Sequence, residues 1–171
     1  MAGTLTVQNL QGPSSGANAN KVLIPSGQTL YAPGHVIQAQ TKKWSNDGFS
    51  TTSATLVDVT DFYIDITPTS SNSIILFQAS LTMLNSTVGG YGRFSIIDSN
   101  TSTKWSSNSY IAASGYNGSQ WADVPLIHTN TAGTTNTMRL QLQGQAGGGG
   151  TIELRWSASD DRTIVVMEIA Q

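Results

Sequence analysis

The stretch that decides the fold is Ile74-Ile75-Leu76-Phe77-Gln78-Ala79-Ser80-Leu81-Thr82-Met83. In an extended chain, successive side chains point to opposite faces. One face of this stretch is apolar and comprises Ile75, Phe77, Ala79, Leu81 and Met83. The other face carries the polar residues Gln78, Ser80 and Thr82. This alternation predicts the main core strand of a β protein.

The same period of two residues recurs on both sides of this stretch. It predicts further strands over 35–40, 56–66, 93–98, 138–143, 152–157 and 163–169. The apolar phase shifts by one residue at Thr60-Asp61, which predicts a bend or bulge there. No window has the i, i+3, i+4, i+7 spacing of an amphipathic helix.

Seven or eight such strands predict an all-β fold, an antiparallel two-sheet sandwich over residues 34–171. The connections 85–92 and 99–121 are long, which favours a jelly roll or Greek key over a meander. Gly147–Gly150 predicts a turn in which glycine allows a positive φ or the close approach of a neighbouring chain.

The composition is polar but almost uncharged. Charged residues make up 11% of the 171 residues and the net charge is -2, whereas Ser, Thr, Asn, Gln and Gly together number 81. Phosphate binding needs clustered Lys and Arg, so nucleic acid is not an expected partner. No apolar run approaches the length that spans a bilayer, and a membrane is not an expected partner either.

Residues 1–33 differ from the rest and predict an extended N-terminal arm. They contain two apolar clusters on either side of the small polar stretch 11–20. The first cluster comprises Leu5, Val7 and Leu10, and the second comprises Val22, Leu23 and Ile24. Such a segment buries too little apolar surface to fold alone, so it is expected to become ordered by docking on something larger. A disordered tail with one edge strand is the alternative.

The titratable residues do not predict catalysis. The chain has no cysteine, and His35 and His128 lie far apart, at a strand start and a strand end, without metal-ligand spacing. Asp160-Asp161-Arg162 reads as a hairpin turn, and Asp58, Asp61 and Asp65 read as solvated residues. No Gly-x-Ser-x-Gly or phosphate-binding loop occurs. We therefore expect a protein without enzymatic activity, metal or cofactor.

Aromatic residues are the remaining candidates for a binding site. They are Trp44, Trp105, Tyr110, Tyr116 and Trp121, the last four interleaved with Ser, Asn and Gly. Exposed aromatic rings among such residues are typical of protein interfaces and of carbohydrate stacking. The alternative is that Trp44, Trp105 and Trp121 cover the edges of the core. Core, subunit interface and ligand surface stay open at this point.

The first 80 residues contain a recurrent order of segments, Gly34-His35-Val36-Ile37-Gln38, then Val57-Asp58-Val59, Ile66-Thr67-Pro68 and Ser73-Ile74-Ile75-Leu76, preceded by segments 4–10 and 21–30. In this order, residues 1–80 resemble bacteriophage virion proteins of the jelly-roll decoration and fibre-knob type, especially those of marine and cyanobacterial phages, and segments 4–10 and 21–30 resemble their virion-anchoring leader. The resemblance implies a homotrimer on the virion surface whose arm binds the major capsid protein or another virion protein. The chain lacks a coiled-coil or repeat shaft, so a long fibre is not expected.

Three functions follow, in order of expectation. The first is a capsid decoration or cement protein, with head or tail location left open. The second is a short tail-fibre tip or host-receptor module that binds surface glycan through the aromatic residues. The third is a hydrolase acting on such glycan, for which paired carboxylates are missing.

Overall fold

The computed structural model describes residues 12–17, 19, 26, 32–44, 48–86, 88–105, 112–115, 120–154 and 162–171. The chain divides into two compact units, Met1–Tyr31 and Ala32–Gln171. In the first unit, the N–H of Ala19 donates to the carbonyl of Gly16 at 3.0 Å, closing a turn in which Gly16 has a φ of 91°. The described residues hold no helix with the length and apolarity to cross a membrane.

The second unit is built from β strands. Within the described ranges they are β1 (Val36–Trp44), β2 (Phe49–Thr51), β3 (Val57–Ile66), β4 (Ile74–Asn85), β5 (Tyr91–Asp98), β6 (Thr103–Lys104), β7 (Ala112–Gly115), β8 (Gln120–Thr131), β9 (Met138–Gly147), β10 (Ile152–Leu154) and β11 (Arg162–Ile169).

The strands form two antiparallel sheets. Sheet A has the order β1-β11-β4-β10-β2, with β8 paired along the whole of β4. Sheet B has the order β3-β9-β5-β6, with β7 also paired to β5. Consecutive long strands lie in different sheets, so the chain crosses repeatedly between the two layers. The prediction of an all-β, two-sheet jelly-roll sandwich is confirmed.

The core lies between the two sheets and is lined by β4 on one side and β9 on the other. Ile75, Phe77, Leu81 and Met83 of β4 have no solvent exposure, while Ala79 packs against them from the margin. Met138, Leu140 and Leu142 of β9 face them. Burial of each large side chain contributes about 1.5–3 kcal/mol. The alternation seen along residues 74–83 therefore supplies much of the stability of the sandwich.

A bulge interrupts β3 where the sequence predicts one. Asp61 has a φ of 58°, and the pairing of β3 with β9 shifts register between Asp58 and Tyr63. The extra residue lets Val59 on one side and Phe62 on the other both point into the core. The side-chain amide of Gln141 donates to the carbonyls of Val59 (2.7 Å) and Phe62 (3.2 Å), which ties the bulge to β9.

Two glycine turns meet at one end of the sandwich. Gly148 and Gly149, between β9 and β10, have φ values of 70° and 75°, as expected for this turn. A Cβ atom on Gly148 would lie 2.8 Å from the carbonyl oxygen of Gly89, in the turn between β4 and β5. The backbone that approaches this turn therefore belongs to the same chain.

Strand β8 is not among the strands predicted by alternation, because the sequence analysis left 99–121 as a connection and placed only a strand end at His128, which in fact lies inside β8. Ala122, Val124 and Leu126 alternate with Asp123 and Pro125 in this segment, and the proline argues against a strand. Proline is tolerated at the edge of a sheet, and among the described residues β8 pairs only with β4. Ala122, Val124 and Leu126 nevertheless point into the core.

Candidate interaction surface

The outer face of sheet A carries a continuous apolar patch. Because Ile75 and Phe77 point inward, Ile74, Leu76 and Gln78 point outward, and the strand pairing fixes their neighbours. We call this patch the apolar face. Its three rows are Val36–Ile169–Ile74–Thr131, Ala39–Met167–Leu76–Thr129 and Thr41–Val165–Gln78–Ile127.

The apolar face arises because β11 is apolar on both sides. Ile164 and Val166 point into the core, whereas Val165, Met167 and Ile169 point outward. Strands that are apolar on both faces are usually covered on both faces. Here Ile127 is 61% exposed and Val36 is 42% exposed. An apolar patch of this kind marks an interaction surface.

No charged residue occurs in the three rows of the apolar face. The charges nearest to it lie at its margins. Lys43 lies on β1, and Asp123 lies on β8, across the sheet. The guanidinium of Arg162 lies 3.7 Å from the carboxylate of Asp123 and donates to the hydroxyl of Thr82. The centre of the face can therefore be buried without removing a charge from water.

The outer face of sheet B is polar. Arg139 makes two hydrogen bonds to the carboxylate of Asp65, at 2.8 and 3.0 Å, and this partner raises the pKa of Arg139 above its ordinary value. The ring of Tyr63 contacts two cations. Its centroid lies 3.2 Å from Nζ of Lys42 and 4.3 Å from the guanidinium carbon of Arg139. Gln143 donates to Asp58 at 2.8 Å. These groups satisfy one another and suit a solvated face.

A buried carboxylate, that of Glu168 on β11, connects sheet A to the turn that follows β3. Glu168 has no solvent exposure, and its oxygens accept hydrogen bonds from the main-chain N–H (2.8 Å) and hydroxyl (2.8 Å) of Thr69 and from Gln38 (2.7 Å). Burial raises the pKa of Glu168, but the hydrogen bonds from Gln38 and Thr69 outweigh it and lower the pKa. A carboxylate saturated with donors is a structural anchor and not an acid or base. Sequence analysis missed it inside the apolar run 163–169.

Two of the aromatic candidates lie in the core. Trp44 is 3% exposed, packs edge-on against Phe62 with ring centroids 4.7 Å apart, and donates from its indole N–H to the carbonyl of Thr60 at 3.0 Å. Trp105 is 5% exposed and packs edge-on against His128. The structure thus places these two rings in the core, one of the alternatives left open, and neither is offered to a ligand.

Trp121 has a different position from the other two tryptophans. It is 47% exposed and pairs with Leu84 on the outer side of sheet A. Tyr110 and Tyr116 lie outside the described residues, as do the arm residues Leu5, Val7, Leu10, Val22, Leu23 and Ile24. Of the aromatic candidates that the structure describes, Trp44 and Trp105 lie in the core and Trp121 lies on the outer side of sheet A.

The histidines and the acidic candidates are separated as well. His35 is exposed just before β1, and His128 lies within β8, where burial lowers its pKa. Asp58, Asp61 and Asp65 are exposed, as predicted, and Asp160 and Asp161 lie outside the described residues. In the part of the chain that the structure describes, no three His, Asp or Glu side chains are grouped to hold a metal ion.

A cleft of about 290 Å³ opens at the end of the sandwich that holds Trp105, Asn130 and Asp98. Two of its polar side chains are engaged within the chain. Asp98 accepts from the main-chain N–H groups of Asn100 (3.1 Å) and Arg139 (3.0 Å), and Asn130 donates to the carbonyl of Trp105 at 2.6 Å. The indole N–H of Trp105 is buried without a hydrogen-bond partner. A single unpaired donor does not make a binding site, and we take the apolar face as the candidate site.

Comparison with known proteins gives only distant structural likenesses. No protein-family model and no curated protein matches the chain. The Eiger TNF of S. frugiperda matches 80% of this chain and 95% of its own, with 9% identity and a TM-score of 0.46. A structure of the Gt strain of infectious bursal disease virus matches 93% of this chain with 14% identity and a TM-score of 0.47. T=1 particles derived from that virus match 91% of this chain, also with 14% identity and a TM-score of 0.47. The chain spans less than half the length of these viral chains, 41% and 42%.

Proposed function

We propose that the protein is a non-enzymatic structural protein of a bacteriophage virion, of the capsid decoration or cement type. In this proposal the sandwich, residues 34–171, forms a homotrimer, and the arm, residues 1–33, docks on the major capsid protein or another virion protein. The protein then lies on the virion surface.

The observation that carries the proposal is the apolar face. A sandwich that is apolar between its sheets and again on the outside of one sheet is suited to packing against another protein. The charged groups Asp98, Arg139 and Asp65 are paired within the chain, since Asp98 accepts from the main-chain N–H of Arg139 and the Arg139 side chain donates to Asp65. Assembly therefore accounts for more of the described surface than substrate chemistry does.

The arm enters the proposal from its sequence and from the resemblance. The arm has too few apolar residues to form a core of its own, but enough for one short docking strand at each apolar cluster. These residues are Leu5, Val7 and Leu10 in the first cluster and Val22, Leu23 and Ile24 in the second.

The glycan-binding alternative finds less support. Stacking on a sugar needs an exposed ring, and Trp105 is buried. The exposed ring of Trp121 lies beside Leu84, and Asp123 on the neighbouring row already accepts a hydrogen bond from Thr82 at 2.8 Å.

Incorporation into particles tests the proposal. The full chain is added to particles of the encoding phage that lack it, next to a Leu5→Asp/Val7→Asp double variant and a Gln8→Asp control. We expect the wild type and the control to bind, and the double variant to lose binding while keeping its β circular dichroism. Hundreds of copies per particle indicate decoration, and a handful indicates the tail. A wild-type chain that never binds particles overturns the proposed function.

A further inference from the structure

We infer that the apolar face is covered by a second copy of this chain, with the β1 edge of one copy lying against the β8 edge of the other. The inference rests on the proposed assembly function, because it names the partner for one of the surfaces that this function requires. The contact is a two-fold one that joins copies in pairs, so it is separate from the contacts that close the trimer.

The centre of the face indicates the chemistry of the partner. Met167 and Leu76 lie in the middle row and Val165 lies in the third row, and none of the three rows carries a charge. Nucleic acid and anionic surfaces need cations there, and glycans need an array of donors and acceptors. An apolar protein surface fits instead, and an uncharged face can meet a second copy of itself without bringing like charges together.

The charged residues at the margins of the face indicate how the second copy is oriented on the first. Lys43 lies on β1 and Asp123 on β8, with β11 and β4 between them. Three strand spacings separate them by about 14 Å within one chain, too far for a direct ion pair. A second copy turned over about an axis along the strands brings its β1 over the β8 of the first. Lys43 of each copy then lies near Asp123 of the other.

The other orientation is less favourable. Turning the second copy about an axis across the strands places β1 over β1 and β8 over β8. The strands of the second copy then run in the opposite direction, so the two Lys43 side chains lie at opposite ends of the contact and neither approaches an Asp123. Only the arrangement with β1 against β8 brings opposite charges together, so the charges favour it.

The first experiment is sedimentation equilibrium of the full chain with one substitution in the face. Ile127→Lys places a charge in the third row at a side chain that is 61% exposed, so the fold tolerates it. The matched control is Val88→Lys, which changes a side chain that is 72% exposed in the turn between β4 and β5. We expect wild type and Val88→Lys to associate equally and Ile127→Lys to associate about 100-fold more weakly.

Circular dichroism at low concentration checks that all three chains are folded. Wild type that stays monomeric at high concentration overturns the inference, and so does equal association of Ile127→Lys and wild type. The latter result would mean that the arm or a different virion protein covers the face.

The second experiment tests the orientation with a double-mutant cycle on Lys43→Asp and Asp123→Lys. Each single reversal should weaken association about 5-fold, and the double variant should recover to near the wild-type value. Repulsion between the new lysine and Arg162 occurs in both Asp123→Lys and the double variant, so it cancels in the cycle. A double variant as weak as the product of the two single effects overturns the β1-to-β8 arrangement.

The outcomes separate this inference from the proposed function. Association through the apolar face by a chain that never enters particles supports the inference and removes the function. A chain that enters particles but does not associate through the apolar face supports the function and removes the inference.

Discussion

The side-chain amide of Gln38 donates a hydrogen bond of 2.7 Å to the carboxylate of Glu168, a side chain without solvent exposure. The same amide donates to the carbonyl of Thr67 at 2.7 Å. These bonds join β1, β11 and the turn that follows β3. One buried charge thus fixes the margin of sheet A next to the apolar face.

We expect Glu168→Gln to destabilise the fold by about 2 kcal/mol at pH 7, because the new amide group meets donors that need an acceptor. The pKa of Glu168 is lowered below its ordinary value of 4.5, so its contribution is present above that pH and is lost as the pH falls through the folded-state pKa. The difference between wild type and variant should therefore shrink as the pH is lowered from 7 to below 4.5.

Urea unfolding across that pH range measures this effect. Asp58→Asn is the control, since Asp58 is exposed and should cost less than about 0.5 kcal/mol. A difference between Glu168→Gln and wild type that stays constant with pH contradicts the assignment.

Replacing Trp105 or Trp121 with alanine should lower the stability of the fold by different amounts. Trp105→Ala empties part of the core and should cost about 3–5 kcal/mol. Trp121→Ala changes a side chain that is 47% exposed and should cost less than about 1 kcal/mol. Thermal unfolding measures both, and binding of the variants to host-surface glycan tests the alternative function. Loss of glycan binding in Trp121→Ala, with stability unchanged, would revive that alternative.

Gly148 and Gly149 form a matched pair for testing the contact between the two glycine turns. Both have positive φ, but only Gly148 would place a Cβ against the backbone of Gly89, because a Cβ on Gly149 meets nothing within 4 Å. Gly149→Ala should cost about 1 kcal/mol from its backbone conformation alone. Gly148→Ala should cost about 1–3 kcal/mol more, because backbone must move. Equal losses in chemical denaturation would show that the turns do not touch.

The bulge at Asp61 predicts a preference for residues that adopt a left-handed conformation. Asn does so more readily than β-branched residues, so Asp61→Asn should be nearly neutral and Asp61→Val should destabilise by about 1–2 kcal/mol. The carbonyl of Asp61, which accepts from Lys42 at 3.1 Å, is retained in both variants. Comparable unfolding midpoints for the two variants would contradict the strain at this position.

Local patterns were enough to predict the parts of the fold that depend on neighbours in sequence. The alternation from Ile75 to Met83 identified the central strand, and the phase shift at Thr60-Asp61 identified the bulge. Strand β8 was missed because its evidence is non-local. Pro125 argues against a strand, and the strand is stabilised by pairing with all of β4.

The apolar face could not be located from sequence for a related reason. The run 163–169 shows that β11 is apolar on both sides, but the face exists only because Val165 and Met167 line up with Gln78 and Leu76. That register is set by strands far apart in the chain. The aromatic residues were easier to see and attracted the binding hypotheses, whereas two of the tryptophans serve the core.

The meeting of the two glycine turns links positions that are nearly sixty residues apart. An insertion in the turn at Gly89 removes the backbone against which Gly148 packs, and an insertion in the turn at Gly148 removes the backbone against which Gly89 packs. Insertions at the two sites should therefore be inherited together, so that relatives of this chain fall into groups with either two short turns or two long ones.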